Sequence, residues 1–346
     1  METKEYDVQE LNEETLTYID KAAEVLRNDG LVAFPTETVY GLGANALIPE
    51  AVAAIYRAKG RPSDNPLIVH VAGIEGCKEL TPFWSSTVEK LVKRFWPGPL
   101  TLILPKTERV PDITTGGLST VAIRMPDHPI ALELIKRSGC PIAAPSANLS
   151  GRPSPTRPEH VIEDLAGRID VILKGGDCRV GIESTVLDMT GETPTILRPG
   201  ILTPEEIEAV IGIKVAIDPA LLNRPCREAS LEETKDIPAP KAPGMKYTHY
   251  APNAEMLIIQ GELSRVRKEI EIIKEENERN GRKVGVILFE EEAFIQAAHD
   301  FFARLRELDN CGVDLIIAGA LSDRNSIGFA VMNRMLKSAG YKVIKV

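Results

Sequence analysis

Five short segments carry the side chains that could bind a small charged ligand. The first runs from Pro35 to Gly43 (PTETVYGLG). Its threonines can hydrogen-bond a polar ligand, and Gly41 and Gly43 let backbone approach closely; an ordinary turn with capped hydroxyls has the same composition. The second, Lys59 to Pro66 (KGRPSDNP), places Lys59 and Arg61 two apart in a proline-stiffened loop. Such cations hold phosphate, the arginine in bidentate fashion, although a solvated basic turn would look alike. His70 follows on an apolar strand and is a ligand contact only where other loops converge on it. The third ends the run Thr120 to Pro126 (TVAIRMP), where Arg124 closes an apolar strand. A cation there is costly unless paired, so it expects a carboxylate of the protein or of a ligand. The fourth, Ala143 to Gly151 and on to Ser154, follows a buried strand with small residues and offers Ser146 and Asn148. The fifth joins Gly181 to Val186 (GIESTV) with Leu197 to Gly200 (LRPG), where Arg198 ends another strand.

The elements that must position these segments alternate between helical and strand periods, the pattern of an α/β fold. Helices are predicted at about Glu14 to Asn28, Pro49 to Lys59, Ser86 to Phe95, Ile130 to Arg137, Pro158 to Leu165 and Pro204 to Ile211. Apolar strands are predicted at Leu31 to Phe34, Leu67 to Ala72, Leu100 to Leu104, Val121 to Arg124, Pro141 to Ala144, Val171 to Leu173, Ser184 to Asp188 and Thr195 to Arg198. The candidate loops thus leave the ends of strands, where α/β sheets hold ligands. Frequent Pro and Gly between elements favour a mixed, irregular sheet. From about Asp218 to Asn253 the chain is proline-rich with little periodicity, as a linker would be. Strand-helix-strand repetition from Met256 to Val346 predicts a smaller parallel sheet flanked by helices, without the glycine fingerprint of a dinucleotide site. The division expected is residues 1–213, a linker over 214–253, and a second domain over 254–346.

Composition narrows the function further. A chain of 346 residues suits two domains, and its formal charge of −9 disfavours a tight grip on a nucleic-acid backbone. Five scattered cysteines have neither metal nor redox spacing, which suits reduced thiols in the cytoplasm. The acidic N-terminus does not read as a signal peptide, and no apolar run approaches the roughly 20 residues of a membrane helix. Phosphate-loop, zinc-protease and serine-nucleophile motifs are missing from the sequence.

In combination the segments are specific. PTETVYGL, KGRPxxNPL, the STVAIRMP strand, APSANxSG and LRPG, in this order, resemble the YrdC-like family from about Glu14 to Ile211. Ala242 to Pro252 (APGMKYTHYAP) resembles the signature of its two-domain threonylcarbamoyl-AMP synthases. The resemblance implies a twisted YrdC-like mixed sheet with a ligand crevice, followed by a Rossmann-like parallel α/β domain. It implies an enzyme that makes L-threonylcarbamoyladenylate from L-threonine, bicarbonate and ATP. Other proteins then transfer the threonylcarbamoyl group to an adenosine beside the anticodon of tRNA.

Carried over by motif position, Lys59 and Arg61 are the catalytic pair. The ATP site comprises Lys59, Arg61, Asn65, Thr120, Ser146, Asn148, Ser154, Arg198, Tyr247 and Tyr250, with Mg²⁺ held through the phosphates. Thr38, His70, Arg124, Ala144 and Ser184 form the L-threonine site. The carbamate is labile in water, and Tyr247, His249 and Tyr250 lie on a segment long enough to fold over the site as a lid. A cytoplasmic monomer with no stable nucleic-acid or membrane binding is expected. Two other readings stand beside this one. A non-catalytic RNA platform is disfavoured by the acidic charge and by an aromatic content of 5%. A carbamoyl-adenylate-forming relative would be expected to carry acylphosphatase and zinc-finger segments.

Overall fold

The computed structural model describes residues 2–222, 250–290, 292–321 and 326–346. Eleven strands form the larger sheet: β1 (Lys4–Asp7), β2 (Val32–Phe34), β3 (Gly41–Asn45), β4 (Ile68–His70), β5 (Leu100–Pro105), β6 (Thr120–Arg124), β7 (Ile142–Ala143), β8 (Val171–Lys174), β9 (Thr185–Asp188), β10 (Thr195–Arg198) and β11 (Ala216–Ile217). Their order is β1-β8-β2-β3-β7-β4-β6-β5-β9-β10-β11. Parallel pairs such as β4 with β6 alternate with antiparallel ones such as β5 with β6, so the sheet is mixed. Its central strands are buried on both faces, which explains their continuous apolar runs.

Helix signals in the sequence lie close to the observed ends. The first helix spans Glu13–Arg27, where Asn12 and Thr15 exchange side-chain-to-backbone bonds in a capping box. The helix Pro49–Lys59 opens on proline and closes on Gly60 in the left-handed region, at φ 63°. That stop makes Lys59 the last helical residue and aims it inward.

Several elements depart from the sequence reading: β1, β3, the short helices Ile74–Lys78 and Asp112–Thr115, and, inside the expected linker, β11 and the helix Pro219–Leu222. The segment from Pro35 to Gly43 is not all loop, because β3 begins at Gly41 and pairs antiparallel with β2. Its glycines hid it from a search for β-branched residues. A Cβ on Gly43 would lie 2.7 Å from Ile142 Cγ2 and 2.8 Å from Phe34 Cε1, so this strand must be small to pass its neighbours. At the sheet edge, β1 (KEYD) is largely exposed and lacks the apolar alternation that marks a strand.

The smaller sheet comprises β12 (Glu255–Gln260), β13 (Val284–Ile287), β14 (Leu315–Gly319) and β15 (Val343–Lys345), in the order β13-β14-β12-β15. Every pairing is parallel, and the helices Leu263–Arg279, Phe294–Asn310 and Ser326–Ser338 supply the crossovers. The two sheets share one apolar cluster. Val39, Val180, Ile182 and Tyr250 pack in it with Phe301, Phe302, Leu305 and Met335.

Candidate active site

A crevice opens over one face of the larger sheet. Ile68 and His70 stand two apart on β4, so they share that face, and both line the crevice. Register places Arg124 beside His70 and Thr101 beside Arg124. Ser184, just ahead of β9, lies 2.7 Å from Thr101 through their hydroxyls. Arg198 at the end of β10 donates to the Ser184 carbonyl at 3.1 Å and to its hydroxyl at 3.0 Å. A polar row therefore crosses the sheet from His70 to Arg198. Room above it comes from Gly41 and Ala144, whose neighbouring strands leave little place for anything larger. A Cβ on Gly41 would sit 3.3 Å from Ala144 Cβ.

The anion that Arg124 requires is present inside the chain. Its Nη2 lies 2.7 Å from Glu37 Oε2, with the two side chains 4% and 1% exposed. Glu37 sits in the loop Pro35 to Tyr40, which folds on itself through Thr36. The Thr36 hydroxyl donates to the Val39 carbonyl at 2.6 Å and lies 2.9 Å from the Thr38 hydroxyl. Burial drives the His70 pKa down to about 3, and Arg124 reinforces it. The imidazole is neutral, and its Nδ1 has no hydrogen-bond partner among the described residues. Tyr40 anchors the far side of the loop, donating to the Gly176 carbonyl at 2.7 Å and accepting from Gly175 N–H at 3.1 Å.

At the other end, the buried Lys59 ammonium donates to the Ser146 carbonyl at 2.5 Å and to the Asn148 carbonyl. Burial lowers its pKa well below the usual lysine value, and Arg61 adds to the shift. Ser146 donates to Asn148 Oδ1 at 2.5 Å, and Asn148 Nδ2 donates to the carbonyls of Leu149 and Arg152 at 2.8 and 2.9 Å. The loop after β7 thus curls around its own asparagine. Arg61 donates to the Pro66 carbonyl at 3.4 Å and faces the crevice. Arg198 is brought down to about 10 by burial, opposed by Glu183. Burial, and then Glu183, raises Tyr250 to about 12.

Of the residues singled out from sequence, Thr38, Lys59, Arg61, His70, Arg124, Ala144, Ser146, Asn148, Arg198 and Tyr250 line this one crevice. Ser154 and Ser184 stand behind it, bonded to Glu183 and Arg198 respectively. Thr120 lies at the far end of β6, opposite Pro105. Asn65 is buried nearby, and its side-chain amide has no hydrogen-bond partner among the described residues. Tyr247 and His249 lie outside the described residues.

Sequence reasoning passed over Glu37, Tyr40, Arg152 and Glu183. Glu37 and Glu183 lay inside the quoted motifs, and a carboxylate in a hydroxyl-rich loop near a buried arginine was the signal available. The partner of Glu183 was not legible, because it stands 151 positions later.

The chain is similar to known proteins over nearly its whole length. Residues 24–200 match the Sua5, YciO and YrdC family model, described as telomere recombination. Residues 202–340 match the model described as threonylcarbamoyl-AMP synthase, C-terminal domain. The threonylcarbamoyl-AMP synthase of Pyrococcus abyssi is 50% identical over 335 residues, covering 94% of this chain and 95% of that relative. That of Bacillus subtilis is 49% identical over 344 residues, covering 94% of each. The crystal structure of P. abyssi Sua5 complexed with L-threonine superposes with a TM-score of 0.92 at 48% identity, covering 99% of this chain and 100% of that one.

Proposed function

The chain belongs to the Sua5, YciO and YrdC family, and from that premise we propose that it joins L-threonine, bicarbonate and ATP into L-threonylcarbamoyladenylate, with release of pyrophosphate and water. The observation that carries this reading is the convergence of Arg61, Arg124, Ser146 and Arg198, from four separate stretches of chain, on one crevice with cations at both ends.

The threonine amine, in its neutral form, attacks the carbon of bicarbonate, and water leaves. A carbamate oxygen then attacks the α-phosphorus of ATP, and the bond to pyrophosphate breaks. Charge gathers on phosphate oxygens throughout, so positioning and neutralisation do most of the catalysis. Arg61 and Arg198 suit the phosphates, and Tyr250, Asn148 and Ser146 the nucleotide around them. Asn65, Thr120, Ser154 and Tyr247 complete the nucleotide side of this proposal. Lys59 belongs to the catalytic pair in a particular way. Its ammonium is held on two carbonyls of the Ser146 loop. A triphosphate arriving beside it would favour the charged form that burial disfavours.

Thr38, His70, Arg124, Ala144 and Ser184 make the threonine end. A guanidinium has five N–H donors, so pairing with Glu37 leaves Arg124 capacity for a second carboxylate. Neutral His70 can accept a hydrogen bond from the amine or hydroxyl of threonine. Glu183 is the one carboxylate among the described lining residues, and it is committed to an arginine. Mg²⁺ therefore fits as part of the substrate, held on the phosphates of ATP.

In this reading residues 1–213 form the catalytic unit and 254–346 the second domain; the linker expected over 214–253 begins inside the larger sheet, where β11 pairs with β10, and residues 223–249, with the lid role expected of them, lie outside the described residues. Tyr250, which lines the crevice with its backbone at φ 67°, is where that linker meets the site. The setting is a cytoplasmic monomer that hands its adenylate to separate tRNA-modifying proteins. Among the described residues no helix is long and apolar enough to cross a membrane. Mass spectrometry of products from ATP, L-threonine and ¹³C-bicarbonate tests the proposal. ATP consumption without a labelled adenylate would refute it.

A further inference from the structure

The second domain brings two fully buried arginines to the crevice wall. Arg334, on the helix Ser326–Ser338, is 0% exposed, and its Nε lies 3.0 Å from Glu183 Oε2. It also donates to the Pro199 carbonyl, and to the Ala330 carbonyl at 3.1 Å. Glu183 in turn accepts from the Ser154 hydroxyl at 2.5 Å. Arg306, on the helix Phe294–Asn310, is 1% exposed and donates to the Pro153 carbonyl from Nε at 3.2 Å and from Nη2 at 2.7 Å. Its Nη2 also lies 2.7 Å from Asp164 Oδ2. Asp164 accepts from Leu149 N–H at 3.1 Å and pairs with Arg152.

These bonds fall on one stretch of chain. Leu149 and Arg152 are held through Asp164, Pro153 directly, and Ser154 through Glu183. The Gly151 carbonyl accepts from Ala251 N–H at 2.8 Å. Ser146, Asn148, Ser150, Gly151 and Arg152 of this loop line the crevice. A buried ion pair forms only where both partners are fixed, and breaking one leaves an uncompensated charge. The loop is therefore tied to the docked second domain as well as to Lys59 and its own asparagine. The docking itself is close: Gly181 has φ 85°, and a Cβ there would lie 2.4 Å from the His299 carbonyl oxygen. Burial alone would push the Glu183 carboxyl up, but Arg334, Arg198 and Ser154 outweigh it and the net direction is down.

We propose that Arg334 and Arg306 are positioning residues of the active site, through which the second domain sets the nucleotide-side loop Asn148 to Ser154 without touching substrate. This rests on the assignment of that loop to ATP. The test uses the full chain carrying Arg334→Met, Arg334→Lys, Glu183→Gln, Arg306→Met and the Arg334→Met/Glu183→Gln pair. ATP and L-threonine binding are measured separately by calorimetry, alongside adenylate formation and thermal unfolding. Folded Arg334→Met should bind ATP about tenfold more weakly and threonine within about twofold of the parent. Arg334→Lys, which keeps the charge but not the fork, should lose about threefold and covers the case in which the methionine variant does not fold. The double variant should lose less than the product of the two single losses, since Arg334 acts largely through Glu183. Unchanged ATP affinity in folded variants overturns the proposal. So does an equal loss for both ligands, or a double-variant loss equal to the product of the two single losses. A parent protein that binds ATP and threonine but forms no adenylate instead refutes the assigned reaction and leaves the binding comparison intact.

Discussion

The two ends of the crevice are held by different means. At the end proposed for threonine, His70 and Arg124 are register neighbours on β4 and β6, and Glu37 closes the pair from a loop that also packs Val39 against the second domain. Strand pairing within one sheet places His70 and Arg124. At the end proposed for the nucleotide, the loop after β7 has no strand partner among the described residues beyond the Gly41 to Ser146 bridge. It is held by Lys59, at the end of the helix Pro49–Lys59, and by arginines from the second domain. One half of the site thus leans mainly on strand pairing and the other also on the docked domain, so perturbations can separate them.

The strongest separation is expected at Arg124. Arg124→Met leaves Glu37 buried and unpaired, which should cost about 3–5 kcal/mol in chemical denaturation. Replacing Glu37 with Met as well should recover most of that stability without restoring threonine binding. Recovery of both would mean that Arg124 does not anchor the amino acid. Lys59→Met attacks the other end. Adenylate formation should fall about a hundredfold, comparable to loss of a preorganised donor. Threonine affinity in calorimetry should stay near the parent value, and a matching loss there would break the division between the ends.

A smaller effect distinguishes the ends by pH. His70 at one end and His160 behind the other are each lowered to about 3, both mainly by burial and then by an arginine, Arg124 and Arg306 respectively. In the unfolded chain each returns to about 6.5. The unfolded state therefore binds more protons between these values, and stability falls as pH drops from about 6.5 toward 3. His160→Gln should flatten this slope in urea titrations while leaving the pH profile of threonine binding unchanged. An unaltered slope would mean that His160 is not buried as a neutral group. The smallest change is Tyr40→Phe, which removes the bonds to Gly175 and Gly176. About 1 kcal/mol of stability should be lost, with both ligands bound within about twofold of the parent, because the Tyr40 hydroxyl is bonded to Gly175 and Gly176, outside the crevice lining.

Much of this division was legible in the sequence. Apolar strands ending in Arg124 and Arg198 announced buried cations, and glycine and proline marked the ends of the helix that delivers Lys59. What stayed hidden depends on distance along the chain. Nothing local to Glu183 or Asp164 names Arg334 or Arg306, more than a hundred positions away. On the helices Phe294–Asn310 and Ser326–Ser338 an inward arginine reads like any surface charge until the docked face is known. The strand β3 was concealed for the opposite reason, since the glycines that let it pack also remove its β signature.

The apolar cluster that spans both sheets has a thermodynamic consequence. Ile182 from one unit and Phe301, Phe302 and Leu305 from the other are each 0% exposed, so neither unit can melt without stripping cover from its neighbour. A calorimeter should accordingly record a single endotherm whose van't Hoff and measured enthalpies agree. Two sheets that look separable in outline would then behave as one folding unit.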